Sequence, residues 1–168
     1  MHANLVILLL ALSIGLQPVS TDLYLPGLPG LALDLQASVG MVQYTLTGLL
    51  LAFGISQLLW GPFSDKVGRR PIMLLGLGLY LVAAIGCVLS TSIETLVAWR
   101  ILQGASMGAV ITSARAVVRD LFQPLQGANV MSQALTGLGI IACACAPLGG
   151  MLTDTLGWRY ALLALAVF

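Results

Sequence analysis

The sequence predicts an all-α integral membrane protein, and three observations support this fold class. Hydrophobic residues make up 59% of the 168 residues and charged residues only 8%, against about 45–50% and about 25% in soluble domains. Five apolar stretches are each long enough to cross a bilayer core of roughly 30 Å as a helix. Most charged residues lie in short segments between these stretches. This composition excludes a soluble globular domain and a disordered chain, and a net charge of +1 provides no basic tract for nucleic acid.

The predicted spans cover residues 3–19, 41–61, 71–89, 93–118 and 129–152. A sixth apolar stretch covers residues 156–168, which is about 13 residues or roughly 20 Å of helix. Because lipid cannot satisfy the unpaired carbonyls of a helix end, we interpret the chain as one that ends within its sixth membrane helix. Residues 1–168 are therefore predicted to form a single transmembrane domain.

Local signals predict where some of these helices begin and end. Pro71 suits the first turn of the third span, where a missing N–H has no effect. Thr91 and Glu94 have the spacing of a capping box for the fourth span. Two prolines and two glycines predict a break after the first span, namely Pro26, Gly27, Pro29 and Gly30.

Lys and Arg residues predict the orientation of the chain in the membrane. The segments after the second and fourth spans carry five bases: Lys66, Arg69, Arg70, Arg115 and Arg119. The segments on the opposite side carry four acids, Asp22, Asp34, Glu94 and Asp154, with Arg159 as the only base. Because short cytoplasmic segments are enriched in bases, we expect the N-terminus and the five bases to face the cytoplasm.

Arg100 is the clearest candidate functional residue, because a charge inside a membrane span is costly. It lies about two turns into the fourth span. Gln103, Gly104, Met107 and Gly108 follow on nearly the same helix face. An outward, snorkelling Arg is the alternative, but a polar stripe flanked by small residues is typical of a packed interior. We therefore predict that Arg100 is buried.

Asp22 is the candidate partner of Arg100, since it follows the first span on the same side of the membrane. A carboxylate there can take up and release a proton, as a proton-coupled carrier requires. The alternative is an exposed loop residue or a cap for a short helical turn.

The second span also carries polar side chains. Its four polar positions are Gln43, Tyr44, Thr45 and Thr47. These groups either line a substrate path or make hydrogen bonds between helices, and the second interpretation is favoured.

Residues 61–71 read GPFSDKVGRRP. Their charge alone indicates only a cytoplasmic anchor, but their order is much more specific. The segment resembles the signature loop of the major facilitator superfamily, G-x-x-x-D-x-x-G-R-R, which lies between helices two and three of that family. The five motif positions are Gly61, Asp65, Gly68, Arg69 and Arg70.

Three further motifs of that family occur in the expected order. Arg100, Gln103 and Gly104 match the helix-four motif R-x-x-Q-G, and Asp120 matches its terminal acid. The segment TDLYLPGLP, which begins at Thr21, resembles the end of helix one in bicyclomycin- and chloramphenicol-resistance-type efflux proteins. The segment GWR, which begins at Gly157, resembles the start of helix six. The resemblance covers essentially the whole chain.

The resemblance implies the N-terminal six-helix bundle of a major facilitator fold, with five complete transmembrane helices and a truncated sixth. It implies a proton-driven drug exporter of the bacterial inner membrane, with Asp22 and Arg100 in proton coupling. It also implies an ion-pair latch in which Asp65 and the motif arginines contact helix four near Asp120. The implied ligands are protons and a drug-like molecule, without a cofactor.

The fifth span departs from the antiporter motif G-P-x-x-G-G of the family. The sequence reads Ala146, Pro147, Leu148, Gly149, Gly150, so that alanine replaces glycine and one residue is missing before the paired glycines. One residue turns a helix by about 100°, so these glycines can face differently from those of the motif. Pro147, Gly149 and Gly150 are interpreted as a kink, with simple packing against neighbouring helices as the alternative.

Two function classes stay open at this point. Family members have twelve helices in two halves, and this chain supplies one half. The first class is a transporter half. The second is a non-transporting half-bundle, which is either an inactive remnant or a module that dimerises or modulates a full transporter. The Gly104-x-x-x-Gly108 spacing permits such a contact.

An intramembrane enzyme is disfavoured by the sequence. The three cysteines Cys87, Cys143 and Cys145 lie in apolar runs, and His2 is the only histidine. No nucleophile–base pair and no metal-binding pattern is recognisable.

Overall fold

The computed structural model describes residues 3–168, with side chains from residue 6 onward. These residues form seven α-helices and one 3₁₀ turn, and the described part of the chain contains no strand. In chain order they are α1 (Ala3–Asp22), the 3₁₀ turn (Leu25–Gly27), α2 (Leu28–Asp34), α3 (Val39–Val67), α4 (Arg69–Val88), α5 (Ile93–Leu121), α6 (Pro124–Leu156) and α7 (Trp158–Val167).

Five of these segments are long and apolar enough to cross a membrane, and they match the five predicted spans. The helices are longer than the predicted apolar stretches, most clearly α3 and α6. The added residues at the end of α3 include the charged residues Asp65 and Lys66. The sixth apolar stretch forms α7, which has 10 residues.

The helix ends follow the predicted chemistry, with one correction. Pro71 lies in the first turn of α4, as predicted. The capping box of α5 was predicted one residue too early. Ser92 is the N-cap, and its hydroxyl and that of Thr95 exchange the two capping hydrogen bonds with the backbone. Glu94 instead places an acid in the first turn of α5, where the helix dipole favours it.

The Pro and Gly residues after α1 do break the helix, although they do not form a plain loop. Pro26 lies in the 3₁₀ turn and Pro29 in the first turn of α2. Because proline supplies a helical φ and lacks only an N–H that is unpaired there in any case, each proline starts a new short helix.

The central helix of the bundle is α5. It is the least apolar of the five spans and yet the most buried, because small and polar side chains pack between helices in a membrane while larger apolar ones face lipid. It packs mainly against α3 and α4, whereas α1 packs mainly against α6. The short α7 lies against α4 and α6. By contrast, most of α6 faces outward.

Candidate functional site

Arg100 is completely buried inside the bundle, near the N-terminal end of α5, as the sequence predicts, and it does not snorkel. Its Nη1 atom donates hydrogen bonds to the backbone oxygen of Ser20 (3.0 Å) and to Oε1 of Gln103 (3.1 Å). Its Cζ atom lies 3.8 Å from the centre of the Tyr24 ring, which is a cation–π contact. Its Nε and Nη2 atoms have no hydrogen-bond partner among the described residues.

The residues around Arg100 are themselves bonded to other helices. The Tyr24 and Thr45 hydroxyls are 3.0 Å apart, and Thr45 donates its own proton to the Val42 carbonyl. Tyr24 must therefore be the donor to Thr45. The Ser20 and Tyr80 hydroxyls share a hydrogen bond of 2.6 Å. We call Arg100, Gln103, Ser20, Tyr24, Thr45 and Tyr80 the Arg100 cluster; it joins the end of α1 to α3, α4 and α5.

Asp22 does not pair with Arg100, which corrects the direct partnership expected from the sequence. No salt bridge joins the two side chains within the described chain. Asp22 is half-buried and accepts a hydrogen bond from Thr21 Oγ1 (2.9 Å). Asp22 lies two residues after Ser20, or about 200° further around α1, so a helix that presents Ser20 to Arg100 directs Asp22 away. The Tyr24 ring covers the guanidinium instead.

Arg69, Asp65 and Asp120 come together at the other end of the bundle, as the latch prediction requires. Arg69 Nε donates to Asp120 Oδ2 (2.9 Å), and its Nη1 donates to Ser64 Oγ (2.6 Å). The same guanidinium forms a salt bridge with Asp65. Gly68 has a φ of 107°, which only glycine adopts easily. This backbone angle lets the chain turn sharply from α3 into α4, so that Arg69 reaches Asp120 on α5.

The other two latch residues of the prediction lie outside this ion-pair network. Arg70 is exposed and makes no salt bridge within the described chain. A Cβ added at Gly61 would meet nothing within 4 Å. Gly61 lines a cavity of about 380 Å³ between α3 and α5. The other lining residues are Gln57, Pro62, Ser64, Asp65, Arg69, Thr112, Arg115, Ala116 and Arg119.

Gly104 and Gly108 pack inside the bundle. A Cβ at Gly104 would collide with the Leu49 carbonyl oxygen, and a Cβ at Gly108 would collide with Ser56 Oγ. Both glycines therefore allow α5 to approach the backbone of α3. Because this contact uses the Gly-x-x-x-Gly face within the chain, the face is not free to bind a second copy.

The predicted kink residues in α6 differ in their surroundings. The helix runs without interruption through Pro147, which is exposed. Gly149 is buried, and a Cβ there would collide with the Leu23 carbonyl oxygen at the end of α1. Gly150 has nothing within 4 Å of the same position. Gly149 therefore serves close packing of α6 on α1, as the alternative interpretation of this motif proposed.

Residues 10–168, nearly the whole chain, match the sequence profile described as Major Facilitator Superfamily. The chain belongs to the major facilitator superfamily. The predicted family and the predicted helical membrane fold are thus confirmed. The members of this superfamily are multi-pass membrane transporters.

Several curated relatives of this superfamily chain are resistance proteins. Multidrug resistance protein D of Escherichia coli K12 is 36% identical over 163 residues, which cover 96% of this chain and 41% of that protein. The chloramphenicol resistance protein of Pseudomonas aeruginosa is 39% identical over 86% of this chain and 35% of its own length. The bicyclomycin resistance protein homolog of Haemophilus influenzae is 36% identical over 91% of this chain and 38% of its own length. The chain thus spans about two fifths or less of the length of these relatives.

A solved major facilitator structure has the same arrangement of helices. The crystal structure of the human organic anion transporter MFSD10 (TETRAN) is similar to this chain with a TM-score of 0.67 and 26% identity. The match covers 99% of this chain and 46% of that one.

Sequence reasoning missed several members of the Arg100 cluster in this superfamily chain. Ser20 and Tyr80 went unrecognised, and Tyr24 was noted only as part of a motif. Ser20 and Tyr24 are four residues apart around the end of α1, which is a spacing that could have indicated a shared face. Thr45 does make an interhelical hydrogen bond, as favoured for the polar residues of the second span, whereas Gln43, Tyr44 and Thr47 are exposed.

Proposed function

We propose that this bundle is the N-terminal half of a proton-coupled exporter of drugs or other small amphipathic molecules. In this proposal it lies in the bacterial inner membrane with its N-terminus in the cytoplasm. The resistance proteins among its relatives support the substrate class. The excess of Lys and Arg in residues 66–70 and 115–119 supports the orientation.

The observation that carries the proposal is the state of Arg100. It is a fully buried cation with no carboxylate partner in the described chain, and its Nε and Nη2 atoms, which carry three N–H groups, lack an acceptor there. A buried charge without a counter-ion is unfavourable. Such a site favours the arrival of negative charge nearby. We assign that role to Asp22, which lies two residues after the Ser20 carbonyl that binds Arg100 and is directed away from Arg100 in this structure. Loss of a proton from Asp22 would supply that charge.

In this mechanism the two ends of the bundle have different tasks. Asp22 and Arg100 sense the proton, since the charge on Asp22 changes the free energy of the state in which Arg100 is enclosed. The ion pairs of Arg69 with Asp65 and Asp120 bias one of the two access states. A few kcal/mol suffices to set such a two-state population. Alternating access itself requires a second bundle against which this one rocks.

The experiment that tests the proposal measures ethidium export from everted vesicles that contain the complete transporter and carry an imposed pH gradient. We expect Arg100→Ala to abolish export while the protein still inserts, and Asp22→Asn to make the remaining export independent of the pH gradient. Asp34→Asn is the matched control, because Asp34 lies on the same side but bonds to the Trp158 indole. We expect this variant to retain normal coupling.

The same assay separates proton coupling from the latch. We expect Asp65→Asn to slow export with little change in the substrate concentration at half-maximal rate, because the latch affects switching rather than binding. Normal ethidium gradients in Arg100→Ala would disprove the role of Arg100. An unchanged rate in Asp65→Asn would disprove the latch.

A further inference from the structure

Arg115 and Arg119 form a pair of guanidinium groups that the proposed transport mechanism does not use. They lie one turn apart on α5, so they share a helix face. Arg115 makes no hydrogen bond or salt bridge with any described residue, and Arg119 approaches Asp120 only at 4.0 Å. The nearby Arg69 differs, since it is already held by Asp65 and Asp120.

The two arginines line the cavity between α3 and α5 that was described above. At about 380 Å³ it falls within the range of about 300–1,000 Å³ for small-molecule sites. Thr112, one turn before Arg115 and Ala116, lines the same cavity, and its buried hydroxyl has no hydrogen-bond partner among the described residues. The cavity therefore offers the Arg115 guanidinium, which has no partner among the described residues, the Arg119 guanidinium, which meets Asp120 only at 4.0 Å, and the Thr112 hydroxyl. The Asp65 carboxylate also lines the cavity, but it is paired with Arg69. This set of groups suits an anion with several acceptor oxygens.

A second cavity lies on the other side of α5 and shares the same two arginines. It measures about 390 Å³, and its other walls are mostly apolar: Val118, Phe122, Pro124, Gly127, Ala128 and Met131. Arg115 and Arg119 thus stand between a polar and an apolar cavity. This arrangement matches a molecule with an anionic head next to a hydrocarbon part.

We propose that Arg115 and Arg119 bind a phosphate group, with the Thr112 hydroxyl as an additional donor. Arginine matches phosphate because its planar fork donates two parallel hydrogen bonds. The apolar cavity next to the pair favours the phosphate of an anionic phospholipid over free phosphate, and basic pockets between transmembrane helices bind such headgroups. The site is separate from the Arg100 cluster and does not depend on the proposed export.

The test measures binding to the purified full chain by native mass spectrometry, with phosphatidylglycerol and with phosphatidylcholine of the same acyl chains. Equilibrium dialysis with inorganic phosphate forms a separate arm. The test variant is Arg115→Gln with Arg119→Gln. The matched control is Lys66→Gln with Arg70→Gln. It also removes two positive charges from the same end of the bundle, but neither residue lines either cavity.

We expect the test variant to weaken phosphatidylglycerol binding at least about tenfold, which corresponds to the loss of one charge-assisted hydrogen bond. The control variant should stay within about twofold of the original protein. Circular dichroism should show the same helix content in all variants, because both arginines are exposed. Phosphatidylcholine should bind more weakly than phosphatidylglycerol.

The other outcomes also decide the question. Binding of inorganic phosphate that competes with phosphatidylglycerol and is lost in the test variant would support the phosphate site and assign it a soluble ligand. Equal losses in the two variants would overturn the proposal, because they would show only general attraction to a basic surface. An absence of preference for phosphatidylglycerol together with no phosphate binding would also overturn it. Because no transport is measured, none of these results bears on the export proposal.

Discussion

Arg100 and Arg69 carry the same guanidinium group but are held in opposite ways. Arg100 is fully buried, and its contacts are a backbone carbonyl, a carboxamide and an aromatic ring. The side chain of Arg69 is 18% exposed, and its contacts are two carboxylates and a hydroxyl. The buried arginine thus has neutral partners, and the arginine nearer to solvent has charged ones.

This difference indicates which kind of change should alter the stability of each region. A solvent-exposed ion pair contributes only about 0–1 kcal/mol and weakens with salt, so the Arg69 pairs suit a contact that must open. A buried polar network is sensitive to small changes in geometry, because an unpaired group in a low dielectric is costly. The stability of the Arg100 cluster should therefore depend mainly on its packing geometry, and the stability of the latch mainly on salt and charge.

The largest expected effect comes from Gly104→Ala, which disturbs the close packing of α3 on α5 next to the Arg100 cluster. The added Cβ meets the Leu49 backbone, so α3 must move away from α5 and carry Thr45 with it. We expect the free energy of unfolding to fall by about 3 kcal/mol or more, at the upper end of overpacking costs. Unfolding in mixed micelles, followed by circular dichroism, measures this change.

Two glycine variants serve as references for that prediction. Gly78→Ala should be nearly neutral, because nothing lies within 4 Å of the new methyl group. Gly68→Ala should cost about 1–3 kcal/mol, because its φ of 107° with a ψ of 153° lies in a backbone region that is essentially restricted to glycine. If Gly104→Ala were as stable as Gly78→Ala, the close contact of α3 and α5 would be wrong.

The second prediction replaces each arginine by lysine, which keeps the charge and removes the planar fork. At Arg100 the substitution loses the stacking on Tyr24 and at least one of the two hydrogen bonds of Nη1. We expect a loss of about 2–3 kcal/mol in unfolding free energy. Arg69→Lys should lose less than about 1 kcal/mol, since lysine still pairs with Asp65 and Asp120 as a point charge. Equal losses in the same unfolding assay would contradict the contrast between the two regions.

The sequence predicted much of this contrast, but by different routes. Hydropathy predicted the spans, and the polar stripe on one helix face predicted the burial of Arg100. The contact of Arg69 with Asp120 was expected only from the family resemblance, because nothing in the spacing joins residues 51 positions apart.

The sequence did not predict the partners of Arg100. A backbone carbonyl such as that of Ser20 has no signature in the sequence, and the direction of Asp22 depends on where α1 ends. The position of the capping box of α5 was predicted wrongly for a similar local reason. Thr91 and Ser92 are both good N-caps, and the choice between them depends on the register of the helix.

The third prediction removes one hydrogen bond from the Arg100 cluster and leaves its charge and its ring in place. Tyr24→Phe keeps the ring over Arg100 and loses the donor to Thr45. We expect a cost of about 1 kcal/mol. Thr45→Val should cost somewhat more, because it leaves the Tyr24 hydroxyl buried without an acceptor.

A double-mutant cycle for unfolding checks that these two effects share one contact. The double variant should cost about as much as the more harmful single variant, since the hydrogen bond can be lost only once. Additive costs would mean that the Tyr24 and Thr45 hydroxyls act separately.

The smallest expected effect tests the ion pairs of Arg69. Asp120→Asn removes one of the two carboxylates on Arg69, and we expect it to lower the unfolding free energy by about 0.2–1 kcal/mol at 10 mM salt. At 1 M salt the Debye length shrinks from about 30 Å to about 3 Å, so the difference from the original protein should vanish. The loss of unfolding free energy caused by Arg100→Lys should stay constant over the same range of salt concentration, because the contacts of Arg100 are buried and its partners are uncharged. A salt-dependent loss at Arg100, or a salt-independent one at Asp120, would show that burial does not separate the two arginines as the geometry requires.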